Sequence, residues 1–180
     1  MITIVAGLGR CGSSLVMSML KAGGIPLFAN RQGSHEHTLT KLLPSTHEWM
    51  HQSEDCAVKI LDIQIHTPPP THEYKMIWCV RDPKQQALSM LKHKPDQLAR
   101  RTSLRKKERW IIEETPKCMK IIQRLGRYLV IPFEITLKHP DTIAASLAAH
   151  LGVALDEAVM AAVVKKRSPE VYTGFLEEEL

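Results

Sequence analysis

Residues 2–20 constrain the fold more tightly than any other stretch of the chain. Ile2 to Ala6 is a short apolar, β-branched run of the kind that forms a buried strand. Gly7 to Ser14 is a turn punctuated by Gly7, Gly9 and Gly12. Leu15, Val16, Met19 and Leu20 then recur at helical spacing, and Gly23-Gly24 stop the helix. A strand, a glycine turn and a helix in succession point free backbone N–H groups and a positive helix end at an anion.

Gly7 to Gly12 has the G-x-x-x-x-G spacing of a phosphate-binding loop. In a nucleoside triphosphatase the next residues are Lys and Ser/Thr; here they are Ser13 and Ser14, and the cation, Arg10, stands inside the loop. The missing lysine argues against an ATP or GTP hydrolase. By itself, such a turn can also be one where glycine only relieves strain.

The 180 residues suffice for one domain, 1–180, with a real core. A net charge of +5 favours an anionic ligand or surface without choosing among nucleotide, nucleic acid and acidic glycan. Cys11, Cys56, Cys79 and Cys118 show no pairing pattern and read as reduced thiols. No signal peptide is visible, and no apolar run reaches the ~18 residues that span a bilayer. The expectation is a soluble cytoplasmic protein.

Further strands are expected at Ile25–Phe28, Ala57–Ile65, Tyr74–Val80 and Tyr128–Phe133. Helices are expected at 38–43, 46–52, 83–93, 103–125, 141–151 and 155–166, with 94–102 a loop. Asp82 suits an N-cap and Pro83 the first helical position. Pro116 should kink or split the long helix. Strands alternating with helices predict a three-layer α/β/α domain with a mostly parallel central sheet. Ligands of such sheets bind beyond the carboxyl ends of the strands, where Arg10, Lys59 to Asp62, Arg81 and Glu134 all fall.

Several of these segments together resemble the sulfotransferases that use 3′-phosphoadenosine 5′-phosphosulfate (PAPS), which share the P-loop NTPase-like fold. Gly9-Arg10-Cys11-Gly12-Ser13-Ser14 resembles the family's 5′-phosphosulfate loop, with Cys11 where serine is usual. Arg81-Asp82-Pro83 with Ser89 resembles the 3′-phosphate motif R-x-P-x5-S. Ile131 to Pro140 resembles the Y-E-D-L…P segment, with Phe133 for tyrosine. Gly33 to Leu43 resembles a bacterial segment that aligns Glu36, and Lys165-Lys166-Arg167 stands where the family has a basic loop.

The resemblance implies transfer of a sulfuryl group from PAPS to a hydroxyl or amine of a small-molecule or glycan acceptor. It implies that the 5′ end of PAPS is bound by Gly9 to Ser14, its 3′-phosphate by Arg81 and Ser89, with Arg167 adding charge. Arg10 would neutralise developing charge. Glu36 would be the general base, with His35 and His37 flanking it and able to serve instead or to shift its pKa, and Lys59 would approach the leaving phosphate. Glu134 fits a loop brace better than a chemical role.

Three rivals need weighing. His47-Glu48-Trp49-Met50-His51 matches H-E-x-x-H, which on a helix would present two imidazoles and a glutamate for zinc hydrolysis. Such a match also arises by chance in a chain with nine histidines, and no metal is expected. Arg100, Arg101, Arg105, Lys106, Lys107 and Arg109 form a basic run fit for nucleic acid, although a solvated helix face is the commoner cause. Few aromatics accompany it, so no nucleic-acid partner is expected. A small-metabolite or nucleoside kinase is the third rival, and the missing loop lysine counts against it.

Overall fold

A computed structural model of the chain describes residues 1–30, 35–36, 48–93 and 103–164. Ile2–Gly7 forms β1, buried along its whole length. Its side chains alternate between two cores: Ile2, Ile4 and Ala6 face one, and Val5 the other. The sheet orders its strands β2 (Leu27–Phe28), β3 (Ala57–Leu61), β1, β4 (Tyr74–Val80), β5 (Gly126–Pro132), and every pairing is parallel. Gly7 lies opposite Leu61 on one side and Cys79 on the other, so three strand ends meet at one level.

Helices cover both faces, as the three-layer expectation required. On one face lie α2 (Glu48–Gln52), α3 (Pro83–His93) and α4 (Leu104–Leu125), with Trp49, Ala87, Ile111, Cys118 and Ile122 packing on Ile4, Met76 and Trp78. On the other lie α1 (Ser13–Ala22), α6 (Pro140–Leu151) and α7 (Glu157–Ala162), which bring Met17, Leu20, Leu147 and Met160 to Val5, Ile77 and Ile131. A short helix, α5 (Phe133–Lys138), follows β5 directly.

Local chemistry explains most boundaries. Asp82 caps α3 by accepting the Gln85 N–H at 2.9 Å, and Ser103 caps α4 by accepting from Lys106 at 3.3 Å. Gly152 closes α6 in the left-handed conformation. Three expectations need correcting. β3 stops at Leu61 rather than Ile65, because Asp62 turns to φ 52° and donates its N–H to the Gly7 carbonyl. Pro116 does not split α4; it and Ile112 both lie on the exposed side, so water can reach the carbonyl that proline leaves without its helical donor. Phe133 opens α5 instead of ending β5.

The helix expected at 38–43, the start of the one at 46, the loop at 94–102 and the chain from 165 lie outside the described residues. Among the described residues, no helix is long and apolar enough to cross a membrane.

Candidate active site

The loop between β1 and α1 leaves the start of the helix without a side-chain cap. The N-cap of α1 is Gly12, which has no side chain to accept from the first turn, and that turn carries no acidic residue. The first N–H groups of any α-helix lack a carbonyl four residues back. Gly12 sits at φ 99°, and a Cβ there would come within 2.4 Å of the Phe133 ring. A Cβ at Gly7 would come within 2.3 Å of Cys11 Sγ, so the loop can fold this tightly only around glycine.

Charged groups converge on it from four other segments. Arg10 donates from Nε to Ser89 Oγ on α3 at 3.2 Å. Lys59, an edge-strand lysine on the simplest reading, instead lies on the interior strand β3 with 4% of its side chain exposed. Its Nζ donates to Ser14 Oγ at 3.0 Å and pairs with Glu36 Oε1 at 3.5 Å. The Arg81 guanidinium lies over the Phe133 ring, 4.6 Å from its centroid, and the same ring fills the space beside Gly12. Glu134 Oε1 accepts the Asp82 N–H at 3.0 Å, which braces the turn carrying Arg81.

The backbone is strained here. Arg10, His35 and Asp62 hold φ values of 67°, 55° and 52°, three of the four positive-φ non-glycine residues among those described. Such conformations persist where surrounding contacts over-determine them, as at ligand sites.

The titratable groups respond to burial and to one another. Burial pushes the Lys59 ammonium below its ordinary range, against the pull of Glu36. Burial also lowers the His35 imidazole, with Lys59 and Lys21 adding to it. Ser18 Oγ donates its one hydrogen to the Ser14 carbonyl at 3.0 Å, so His35 Nε2, 2.9 Å away, is the donor to that hydroxyl. In the neutral ring the basic nitrogen is then Nδ1. A hydrogen bond from Cys79 draws the Cys11 thiol down, with burial opposing, and the same bond holds Cys79 well up.

The parallel strand order, with helices on both faces, is an architecture that other proteins share. The described fold matches a sulfotransferase domain of an olefin synthase from Synechococcus PCC 7002, with TM-score 0.54 and 17% identity over 88% of this chain and 75% of that one. It matches sulfotransferase STF9 of Mycobacterium avium at 0.55, with 11% identity over 99% and 75%. A sulfotransferase of Alicyclobacillus acidocaldarius matches at 0.50, with 16% identity over 98% and 91%. The chain has the sulfotransferase fold. No protein-family model and no curated protein sequence matches the chain.

Within this sulfotransferase fold, sequence reasoning and structure agree on position more than on contacts. Gly9, Arg10, Cys11, Gly12, Ser13, Ser14, Glu36, Lys59, Arg81 and Ser89 fall in one region around the ends of β1, β3 and β4. Arg167 and His37 lie outside the described residues, as do Arg100 and Arg101 of the basic run. Of the zinc motif, His47 lies outside them, Trp49 is core and His51 is exposed. Among the described residues, no group of three or more His, Cys, Asp or Glu is placed to hold a metal.

Sequence reasoning missed Ser18 and Gln86. Gln86 carried a readable signal: it is the polar member of a helical row shared with Met90.

Proposed function

We propose that the protein transfers a sulfuryl group from PAPS to the hydroxyl or amine of an acceptor. The observation that carries this reading is the Arg10–Ser89 hydrogen bond of 3.2 Å, which joins the glycine loop to the helix of the Arg81 motif. A donor with phosphates on both the 5′ and 3′ positions needs two anion cradles in one crevice. The residues fit it: an uncapped helix start at Gly12, a loop arginine, a buried lysine, and Arg81 with Ser89 beyond them.

When bound, PAPS supplies the sulfuryl group, whose S–O bond to the 5′-phosphate breaks as the acceptor oxygen or nitrogen bonds to sulfur. The N–H groups at the start of α1 hold the 5′ end, and Arg10 neutralises the charge that grows there. Arg81 and Ser89 hold the 3′-phosphate. Lys59 lies between Ser14 and Glu36, joining the loop to the base. Glu36 takes the acceptor proton, and the fixed geometry supplies most of the rate.

Calorimetric titration tests the reading. 3′,5′-ADP should bind at least about tenfold more tightly than ATP or 5′-AMP, the 3′-phosphate adding a charge-assisted pair with Arg81. Preference for ATP with magnesium would point to a kinase instead.

A further inference from the structure

Gln86 is one of seven buried polar or charged side chains among the described residues, with 2% of its surface exposed. It lies on α3 beside Ala87 and the loop residue Leu8, where an amide costs free energy unless its donors are met. Both are met by the anion loop. Gln86 Nε2 donates to the Leu8 carbonyl at 3.2 Å and to the Gly9 carbonyl at 2.8 Å.

These are the two carbonyls immediately before Arg10. Other bonds complete the grip: Asp62 Oδ1 accepts the Gly9 N–H at 3.4 Å, and the Cys11 N–H reaches the Leu8 carbonyl at 3.2 Å. A trans peptide unit is planar, with its C=O and N–H directed oppositely. Pinning the Gly9 carbonyl toward α3 therefore turns the Arg10 N–H away from it. Three residues along the same helix, Ser89 holds the Arg10 side chain.

We propose that Gln86 is a positioning residue. Its carboxamide fixes the Gly9–Arg10 peptide and so holds Arg10 in the left-handed geometry that aims its side chain at the transferred group, and it makes α3 the strut joining the two phosphate cradles. The aim of Arg10 rests on the sulfotransferase reading; the grip on the loop does not.

The test compares wild type with Gln86→Met, which keeps length and apolar stem but removes both donors. Affinities are measured for 3′,5′-ADP and for 3′-AMP, which lacks the 5′-phosphate. Gln86→Met should weaken 3′,5′-ADP by about tenfold, the scale of one or two hydrogen bonds, and change 3′-AMP by less than about twofold. Equal losses for both ligands, or no loss for either, overturn the assignment. Amide hydrogen exchange reads the grip without any ligand: the Gly9 and Cys11 amides, bonded to Asp62 and to the Leu8 carbonyl, should exchange at least about tenfold faster in the variant, with β4 unchanged. Unchanged loop exchange sinks the grip even if wild type binds no 3′,5′-ADP, a result that would by itself sink only the sulfotransferase reading. Should Gln86→Met not fold, Gln86→Glu takes its place. Its carboxyl regains one donor when protonated, so loop exchange should slow as pH falls, after correction for intrinsic rates; a pH-independent loop overturns the proposal.

Discussion

Arg10 combines an exposed, charged side chain with a backbone that its own Cβ disfavours. Glycine is at home at φ 67°, so Arg10→Gly should be no less stable than wild type in a melting experiment. Release of 3′,5′-ADP from PAPS should nevertheless fall by about 10²-fold, the usual cost of removing one preorganised charge-stabilising donor. An active variant would show that the strain serves something else. Gly12 makes the opposite case. Gly12→Ala brings both a left-handed alanine and a Cβ 2.4 Å from Phe133, a cost of about 2 kcal/mol in denaturant unfolding. A neutral substitution there would mean that the loop and the Phe133 ring do not pack as described. Neither expectation could be drawn from residue type alone: Gly12 was visible as a loop glycine, but the ring beside it comes from 121 positions later in the chain.

Among the elements, α6 carries a titratable group on its buried side. His150 is buried, its Nε2 has no hydrogen-bond partner in the structure, and burial, Arg127 and Lys75 all lower its pKa, against one bond that the ring donates to the Met76 backbone. The sign follows from linkage. A lowered folded pKa means that the unfolded chain takes up the proton first as pH drops below about 6.5, so stability is full above that value and is lost below it. His150→Leu should therefore flatten the loss of melting temperature between about pH 7 and 5, His35 remaining in both proteins to contribute its own share. A variant as acid-sensitive as wild type would remove His150 from the account. The apolar row of α6 was legible as a helix. That a histidine on it would lie beneath β4 was not, because amphipathic spacing assigns a face without naming what covers it.

For the molecule as a whole, a ligand that binds only the folded state raises its melting point. At 100 times its dissociation constant, 3′,5′-ADP should add about 2.7 kcal/mol, or about 5–10 °C for a domain of this size. A larger rise with ATP at the same concentration, or none with 3′,5′-ADP, would count against the proposed donor. The cradles sensed by this experiment are 71 residues apart in sequence at Arg10 and Arg81, yet one ring, Phe133, touches both the loop and Arg81.

Local chemistry in the sequence determined the alternation of strands and helices, the caps at Asp82 and Gly152, the tight glycine turn and the residue types fit to hold anions. Those features depend on neighbours a few positions apart, so the order of residues is enough to specify them. Tertiary structure alone decided that β3 ends at Leu61, that Lys59 is buried against Ser14 and Glu36, and that Gln86 grips the loop from α3. Each of these joins segments brought together by parallel pairing of β3, β1 and β4, and a contact between distant segments has no local periodicity from which to be read.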